Sequence, residues 1–268
     1  MKIGAVTEPR TAISGSNPET IIVRGRDLAT DLVGSLTFTE HVWLLVAGDP
    51  PSEPQRRMLD ACLVAIAEHG LVPSVAAARM TLAAAPEALQ GAVAAGLLGC
   101  GSVILGSSQA AGEFLHGVVE EASGNDPSSA ARDAVQALRA RKAAVPGYGH
   151  PLHKGGDPRA HRLFALAKEL DVGGAHIHAA LAVEAVLPEV TGRDLRMNIS
   201  SAIPAVLLDV GFPIGALKGV PLLARTASLI AHLLEEQLRP IGFAMAHAAA
   251  AVVIYDGLAP DGFVADDN

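Results

Sequence analysis

The sequence is poor in aromatic residues, with six Phe, two Tyr and one Trp among 268 residues. Aromatic and β-branched side chains are typical of strands, so their scarcity argues against a β-sandwich or a barrel. Alanine instead occupies about a fifth of the positions, and half of all residues are apolar. Small apolar side chains favour helices that approach one another closely. The composition therefore predicts a mostly helical protein.

Cysteine is also scarce. Cys62 and Cys100 lie in apolar segments with helical spacing, and two isolated cysteines provide no disulfide framework. We expect both to be packed thiols. No apolar stretch typical of a secretory signal follows Met1. These features predict a cytoplasmic protein.

Basic residues do not accumulate anywhere along the chain, and the net charge is −8. Without a Lys/Arg-rich stripe, nucleic acid is not an expected partner. The most apolar stretches are interrupted by Asp209 and Lys218, or by His247, before reaching the ~18 apolar residues that a membrane span needs. We therefore expect no membrane partner.

Apolar residues recur at helical spacing along most of the chain, and nothing alternates with period two for long enough to predict a sheet. Thr37 and Glu40 form a candidate capping box for a helix that reaches Ala47. Asp157 is a candidate N-cap with Pro158 in the first helical position. Further helices are expected at about 55–69, 74–83, 86–100, 108–122, 130–144, 158–170, 174–187, 198–210, 219–238 and 241–256.

Residues 145–159 form a segment with four Gly and three Pro, which predicts a loop with special backbone angles. His150 and His153 lie between glycines beside a helix N-terminus, an arrangement suited to an anion, although a purely structural loop is the alternative. Neither histidine has a further ligand at metal-binding spacing, so we expect no metal.

Three arginines are suited to bidentate carboxylate binding: Arg159 at a helix start, and Arg225 and Arg239 on or after an apolar helix. Each could instead be a rim residue with a surface partner. The histidines within helical patterns are expected to be structural: His116, His176, His178, His232 and His247.

The segment Val145-Pro-Gly-Tyr-Gly-His-Pro-Leu-His-Lys-Gly-Gly-Asp-Pro-Arg-Ala160 resembles the Gly-(Tyr/Phe)-Gly-His … Asp-Pro-Arg-Ala signature of the citrate synthase family. Arg24-Gly-Arg-Asp27 and the helix ending Leu44-Leu-Val-Ala-Gly48 are similar to two upstream family motifs. Arg225, Ile230-Ala-His-x-x-Glu235 and Leu238-Arg-Pro240 are similar to its C-terminal pattern. The chain's length and the segment 214–219 resemble the citryl-CoA lyase module found at the C-terminal end of ATP citrate lyase.

The resemblance implies an all-α citrate synthase fold, in which a large helical domain and a smaller one close over the site. The large domain would comprise residues 1–109 and 216–268, and the small domain residues 110–215. It also implies a homodimer that binds a coenzyme A thioester and a di- or tricarboxylate as substrates, with no permanently bound cofactor.

The resemblance also implies roles for individual residues. His69 and His150 would bind oxaloacetate or citrate, Arg159 and Arg225 would bind substrate carboxylates, and Arg239 would reach a carboxylate in the partner subunit's site. The coenzyme A ester would lie against Pro146, Gly147, Tyr148, Gly149 and Lys154.

Two catalytic positions depart from the family pattern. Leu105 stands where the family has the histidine that hydrogen-bonds the acetyl-CoA enol, and Ser200 stands where it has the general-base aspartate. Of the catalytic set, His150 alone matches. A general base contributes about 10²–10⁴-fold to a rate, so both losses affect the chemical step directly.

Two functions follow. The first is an enzyme that makes or cleaves a C–C bond in a citryl-CoA-type thioester with a diverged acid/base set. The alternative is a catalytically silent protein of the same fold that binds coenzyme A esters or di- and tricarboxylates, for example as a partner subunit. A carboxylate or histidine supplied from elsewhere in the chain would discriminate between them.

Overall fold

The structure, a computed structural model, describes residues 9–101, 105, 107–149 and 155–262. Eleven α-helices account for most of these described residues, as the composition predicts. They are α1 (Phe38–Ala47), α2 (Glu53–Ala67), α3 (Pro73–Ala84), α4 (Leu89–Leu98), α5 (Ser107–Ala122), α6 (Ser128–Ala140), α7 (Pro158–Glu169), α8 (Ala175–Thr191), α9 (Ile199–Asp209), α10 (Gly219–Leu238) and α11 (Gly242–Ala251).

The helices belong to two compact units. The first comprises residues 1–65 and 108–218, and the second comprises residues 66–107 and 219–268. The division into domains at residues 109 and 215 stays a prediction.

The first unit is built around α8 and α9. Helix α8 packs against α6 and α9, and α9 packs against α7. Residues 201–207 of α9 are all buried, so this helix lies at the centre of the unit. Asp209 at the end of α9 accepts hydrogen bonds from the backbone amides of Gly174, His176 and Ile177, which caps the start of α8.

The second unit has its own apolar core. Helix α3 packs against α4, α10 and α11, and α4 packs against α10. The buried core side chains are Val75, Ala78, Leu82, Ala92, Leu229 and Leu233. Cys62 in α2, which belongs to the first unit, and Cys100 after α4 are both buried and take part in no disulfide among the described residues, which confirms the packed thiols. Burial raises the pKa of the Cys62 thiol.

A short sheet near the N-terminus contradicts the expectation of no sheet. Strands β1 (Ser14–Ser16), β2 (Ile21–Val23) and β3 (Arg26–Asp27) pair antiparallel in the order β1-β2-β3. Arg24 and Gly25 both have positive φ, which forms the tight turn between β2 and β3. Strands of two or three residues are too short to produce a period-two pattern.

The turn also explains the Arg24-Gly-Arg-Asp27 motif. The Arg24 side chain donates to the carbonyl oxygen of Leu45, near the end of α1, at 2.6 Å. Asp27 accepts hydrogen bonds from the amides of Ala29 and Thr30 and caps the π-helical turn Leu28–Leu32. The motif therefore has a structural role in this chain.

Among the described residues, the stretch Ile214–Leu238 is long and apolar enough, by length and composition alone, to cross a membrane. Part of it is buried inside the protein, and core helices of globular proteins pass the same test. This stretch is weak evidence for a membrane span.

Two glycines of α5 provide a test of close helix packing. A Cβ on Gly112 would lie 2.2 Å from Cδ1 of Leu217 and 3.1 Å from Cβ of Pro204, whereas a Cβ on Gly117 would meet nothing within 4 Å. We expect Gly112→Ala to lower the free energy of unfolding by about 1–3 kcal/mol because the core is overpacked. Gly117→Ala should raise it by about 0.5–1 kcal/mol through its better helix propensity. Urea denaturation of the two variants checks this, and equal effects would contradict it.

Candidate functional site

The glycine-rich loop rests on the start of α9 through its backbone. The Gly149 amide donates to the carbonyl oxygen of Arg196 at 2.7 Å, and the Asn198 amide donates to that of Gly147 at 2.9 Å. The side-chain amide of Asn198 donates to the Gly149 carbonyl at 2.7 Å. These bonds hold the loop against the turn that carries Ser200.

Gly147 allows this close approach. Its φ is +84°, and a Cβ there would lie 2.5 Å from Cβ of Ser201 and 2.9 Å from the Ser201 backbone nitrogen. Tyr148 is buried, and its hydroxyl donates to the Ala180 carbonyl at 2.8 Å. Burial raises the pKa of this hydroxyl. The Tyr148 side chain therefore anchors the loop. The backbone of the loop, rather than this side chain, is the candidate for contacting a ligand.

Ser200 lies in the first turn of α9. Asn198 caps this helix by accepting a hydrogen bond from the Ser200 amide at 2.9 Å. A serine hydroxyl at this position can donate or accept a hydrogen bond, but it does not act as a base at neutral pH without a helper.

Asp157 and Arg159 form a bidentate ion pair at the start of α7. The Arg159 Nε and Nη2 groups donate to the two Asp157 oxygens at 2.9 and 2.8 Å. Asp157 is fully buried and also accepts from the amides of Arg159 and Ile199, which ties α7 to α9. Burial opposes the charge of Asp157, but Arg159 and these amides outweigh it and lower the pKa of the carboxyl.

Arg159 also lines a cavity of about 680 Å³ between α2 and α7. Its polar lining includes three further arginines, and its apolar wall comes from both helices. The charged lining residues are Arg56, Arg57, Asp60, Arg159 and Arg162. Three of the four arginines already pair with carboxylates of the protein: Arg56 with Asp60, Arg159 with Asp157 and Arg162 with Glu169.

Arg225 is the most unusual predicted site residue. It lies in α10, is 1% exposed, and its Nε and Nη1 atoms have no hydrogen-bond partner among the described residues. Burial lowers the pKa of its guanidinium, while Glu68 acts in the opposite direction. A buried charged group without an acceptor is costly, so this position is complementary to an anion.

A cluster that the sequence analysis missed lies in the same unit. Oε2 of Glu68 accepts a short hydrogen bond from the Ser228 hydroxyl and lies 3.0 Å from Nε2 of His232. Oε1 of Glu68 accepts from the Gly70 amide at 2.5 Å. The signals were present: Glu68 precedes His69, and Arg225, Ser228 and His232 are spaced i, i+3 and i+7 along one helix.

Arg239 follows α10 on an anchored turn. Arg79 donates to the Arg239 carbonyl at 3.1 Å, to Glu236 at 2.7 Å and to Glu235 at 2.9 Å. Glu236 in turn accepts from the amides after the turn. The Arg239 side chain is 81% exposed, so its backbone is fixed while its guanidinium faces outward.

The two units divide the predicted site residues. The first unit holds Pro146, Gly147, Tyr148, Gly149, Arg159 and Ser200, and the second holds His69, Leu105, Arg225 and Arg239. Leu105 has a φ of +66° and is 8% exposed. His150 and Lys154 lie outside the described residues, and so does His153. Among the described residues, no three His, Cys, Asp or Glu side chains group as metal ligands.

Comparison with known proteins shows that most of the chain matches one protein family. The sequence model of the family described as citrate synthase, C-terminal domain, matches residues 31–241. The citrate synthase of Haloferax volcanii is 26% identical over 205 residues, which cover 75% of this chain and 52% of that protein. The chain thus spans about half the length of the curated relatives that it matches.

Solved structures share the fold. Citryl-CoA lyase from Hydrogenobacter thermophilus superposes with a TM-score of 0.84 at 32% identity, over 95% of this chain and 97% of that chain. ATP citrate lyase from Methanothrix soehngenii, solved with citrate and coenzyme A, gives a TM-score of 0.70 at 22% identity, over 88% of this chain and 40% of that one. The expected all-α citrate synthase fold is confirmed.

Proposed function

Because the chain belongs to the citrate synthase family, we propose that it is an enzyme that makes or cleaves a C–C bond in a citryl-CoA-type thioester. Its substrates are a coenzyme A ester and a di- or tricarboxylate. The similarity to a citryl-CoA lyase over almost the full length of both chains favours the cleavage direction.

The observation that carries the proposal is the buried guanidinium of Arg225, whose Nε and Nη1 have no hydrogen-bond partner among the described residues. A substrate carboxylate would supply the acceptor that this cation lacks, and charge-assisted bidentate pairs of this kind are among the strongest hydrogen bonds in proteins. Arg159 and His69 are the further carboxylate ligands in this proposal. Arg159 is already oriented by Asp157, so less side-chain freedom is lost on binding.

The coenzyme A ester is proposed to lie along the loop of Pro146, Gly147, Tyr148 and Gly149, with Lys154 as its charged residue, whereas His150 is proposed to bind oxaloacetate or citrate. The backbone bonds that hold Gly147 and Gly149 support a preorganised loop. No permanently bound cofactor is part of the proposed reaction.

The alternative, a silent protein that binds coenzyme A esters or carboxylates, rests on Leu105 and Ser200. Leu105 has no polar group, and the Ser200 hydroxyl does not act as a base at neutral pH without a helper. The near-complete match to a lyase of the same length makes this alternative less favoured.

We also propose a cytoplasmic homodimer. Three side chains at four-residue spacing on α10, Ile230, Leu234 and Leu238, are each more than half exposed. An exposed apolar stripe of this kind is typical of an interface. A dimer would also give the outward-facing Arg239 a partner subunit's site to enter.

Light scattering should give twice the 27.4 kDa chain mass, and a monomer at micromolar concentration would contradict the dimer.

The experiment for the activity is incubation of the full chain with citryl-CoA, following the release of oxaloacetate and acetyl-CoA. We expect turnover on the order of 1–10³ s⁻¹, as for an ordinary enzyme. Thermal shift against citrate, oxaloacetate, acetyl-CoA and coenzyme A measures binding separately. Ligand-dependent stabilisation without turnover in either direction would establish the silent alternative instead.

A further inference from the structure

We propose that Glu68 is the general base of this site and that Ser228 and His232 position its carboxylate. This inference rests on the proposed C–C chemistry. The family's base position holds Ser200, so a carboxylate must come from elsewhere in the chain if the reaction proceeds.

Three donors converge on the Glu68 carboxylate. Ser228 and the His232 Nε2 group bind Oε2, and the Gly70 amide binds Oε1. A carboxylate held at both oxygens has a defined orientation, which a general base needs in order to meet one proton on the substrate. The side chain of His232 is mostly buried, and its hydrogen-bonded nitrogen is Nε2, because Nδ1 has no partner among the described residues.

The cluster lies among the predicted substrate ligands of the second unit. Glu68 directly precedes His69, and Ser228 lies one turn along α10 from Arg225. The negative charge of Glu68 also opposes the effect of burial on the pKa of the Arg225 guanidinium. A ligand whose carboxylate pairs with Arg225 would therefore lie beside the Glu68 carboxylate.

Glu68 is also accessible. About half of its side chain is exposed, 53%, and it lines a cavity of about 510 Å³ whose walls also include Leu234 and Leu238 of the proposed dimer interface, so a partner subunit would border this cavity. Burial opposes the ionised form, but the bonds from Ser228, Gly70 and His232 outweigh it and lower the pKa of Glu68. The carboxylate is consequently ionised at neutral pH, which is the protonation state that a general base needs.

In the cleavage direction, Glu68 takes the proton of the tertiary hydroxyl of the citryl thioester. The bond between the hydroxyl-bearing carbon and the adjacent methylene carbon next to the thioester then breaks, which produces the ketone of oxaloacetate and the enolate of acetyl-CoA. Glu68 returns the proton to the enolate carbon, which becomes the methyl group. Atoms and charges balance without a co-reactant.

The test uses Glu68→Gln, which keeps the shape of the side chain but removes the base. We expect kcat for citryl-CoA cleavage to fall about 10²–10⁴-fold, while the thermal shift caused by citrate remains. Glu87→Gln, which removes an exposed carboxylate of the same unit, is the matched control and should leave kcat unchanged.

Chemical rescue separates a catalytic role from a structural one. Glu68→Ala should lose activity and regain part of it when formate is added, because a small carboxylate can occupy the vacated space. Ser228→Ala and His232→Asn should lower kcat less than Glu68→Gln does, as expected of positioning residues.

The outcomes distinguish the two proposals. If the parent chain cleaves citryl-CoA and Glu68→Gln does so at a similar rate, Glu68 is not the base, whereas the proposed function stands. Loss of activity in Glu68→Ala without formate rescue, together with loss of citrate binding, would also overturn the assignment. If the parent shows no C–C chemistry in either direction, the proposed function itself fails, and this inference fails with it.

Discussion

Arg225→Met should weaken carboxylate binding strongly without destabilising the unliganded chain. The guanidinium is buried, and its Nε and Nη1 have no acceptor among the described residues, so without a ligand it carries a desolvation cost that methionine does not. Replacing buried charges with apolar groups of similar size is often neutral or stabilising. The same charge becomes favourable once a carboxylate pairs with it, and losing one partner of such a pair costs about 2–5 kcal/mol.

Calorimetric titration with citrate should therefore show affinity reduced by about 30-fold or more, while the melting temperature of the unliganded variant stays equal or rises. Arg132→Met, which removes a surface arginine paired with Glu189, serves as the control and should alter neither quantity appreciably. A variant that melts much earlier without ligand would mean that Arg225 is a structural cation with an internal partner. Unchanged citrate affinity would remove it from the site.

Glu236→Ala should be among the most destabilising substitutions in the second unit. Glu236 and Arg79 are 3% and 2% exposed, and they pair at 2.7 Å. Removing one partner of a buried pair leaves the other charge uncompensated and costs about 3–5 kcal/mol. The variant would also lose the acceptor for the amides of Ile241 and Gly242.

Glu235→Ala is a matched control because Glu235 binds the same arginine from a half-exposed position. It should cost about 0.2–1 kcal/mol, as exposed pairs do. Urea unfolding of both variants measures the difference. Equal losses of unfolding free energy in the two variants would show that burial does not determine how much each ion pair of Arg79 contributes to stability.

The two buried carboxylates also predict how stability depends on pH. Burial opposes their charge, but Arg79 lowers the pKa of Glu236 below its ordinary 4.5, and Arg159 lowers that of Asp157 below 3.8. A group whose folded pKa is depressed stabilises the protein above its unfolded pKa, and that contribution is lost as the pH falls through the folded value. We expect stability to decline on acidification below these ordinary values, and less steeply in Glu236→Gln.

Local signals explain which parts of the fold were predictable. The Thr37–Glu40 capping box and the Asp157 cap both occur as predicted, because each depends on residues within one turn of the other. Helix α8 continues past its expected end and contains Pro188. Its burial against α6 and α9 outweighs the break that proline usually indicates.

The site was only partly predictable for the opposite reason. Arg225 can be recognised because it is part of the C-terminal family motif. That its Nε and Nη1 have no hydrogen-bond acceptor among the described residues depends on the tertiary structure. Glu68 and Ser228 are 160 positions apart, and no spacing rule connects them. The hydrogen bond that the Ile199 amide donates to Asp157 likewise joins residues 42 positions apart. The role of Asp157 in joining two helices therefore cannot be read from the sequence.

The approach of Gly147 to Ser201 limits how this protein can evolve. A Cβ at position 147 would collide with the Ser201 backbone at 2.9 Å as well as with its side chain, and the φ of +84° adds strain to any other residue. A compensating change to glycine at position 201 would not relieve the backbone contact. Single substitutions at position 147 would therefore not be tolerated during evolution. New ligand specificities must arise from substitutions at the neighbouring positions of the loop.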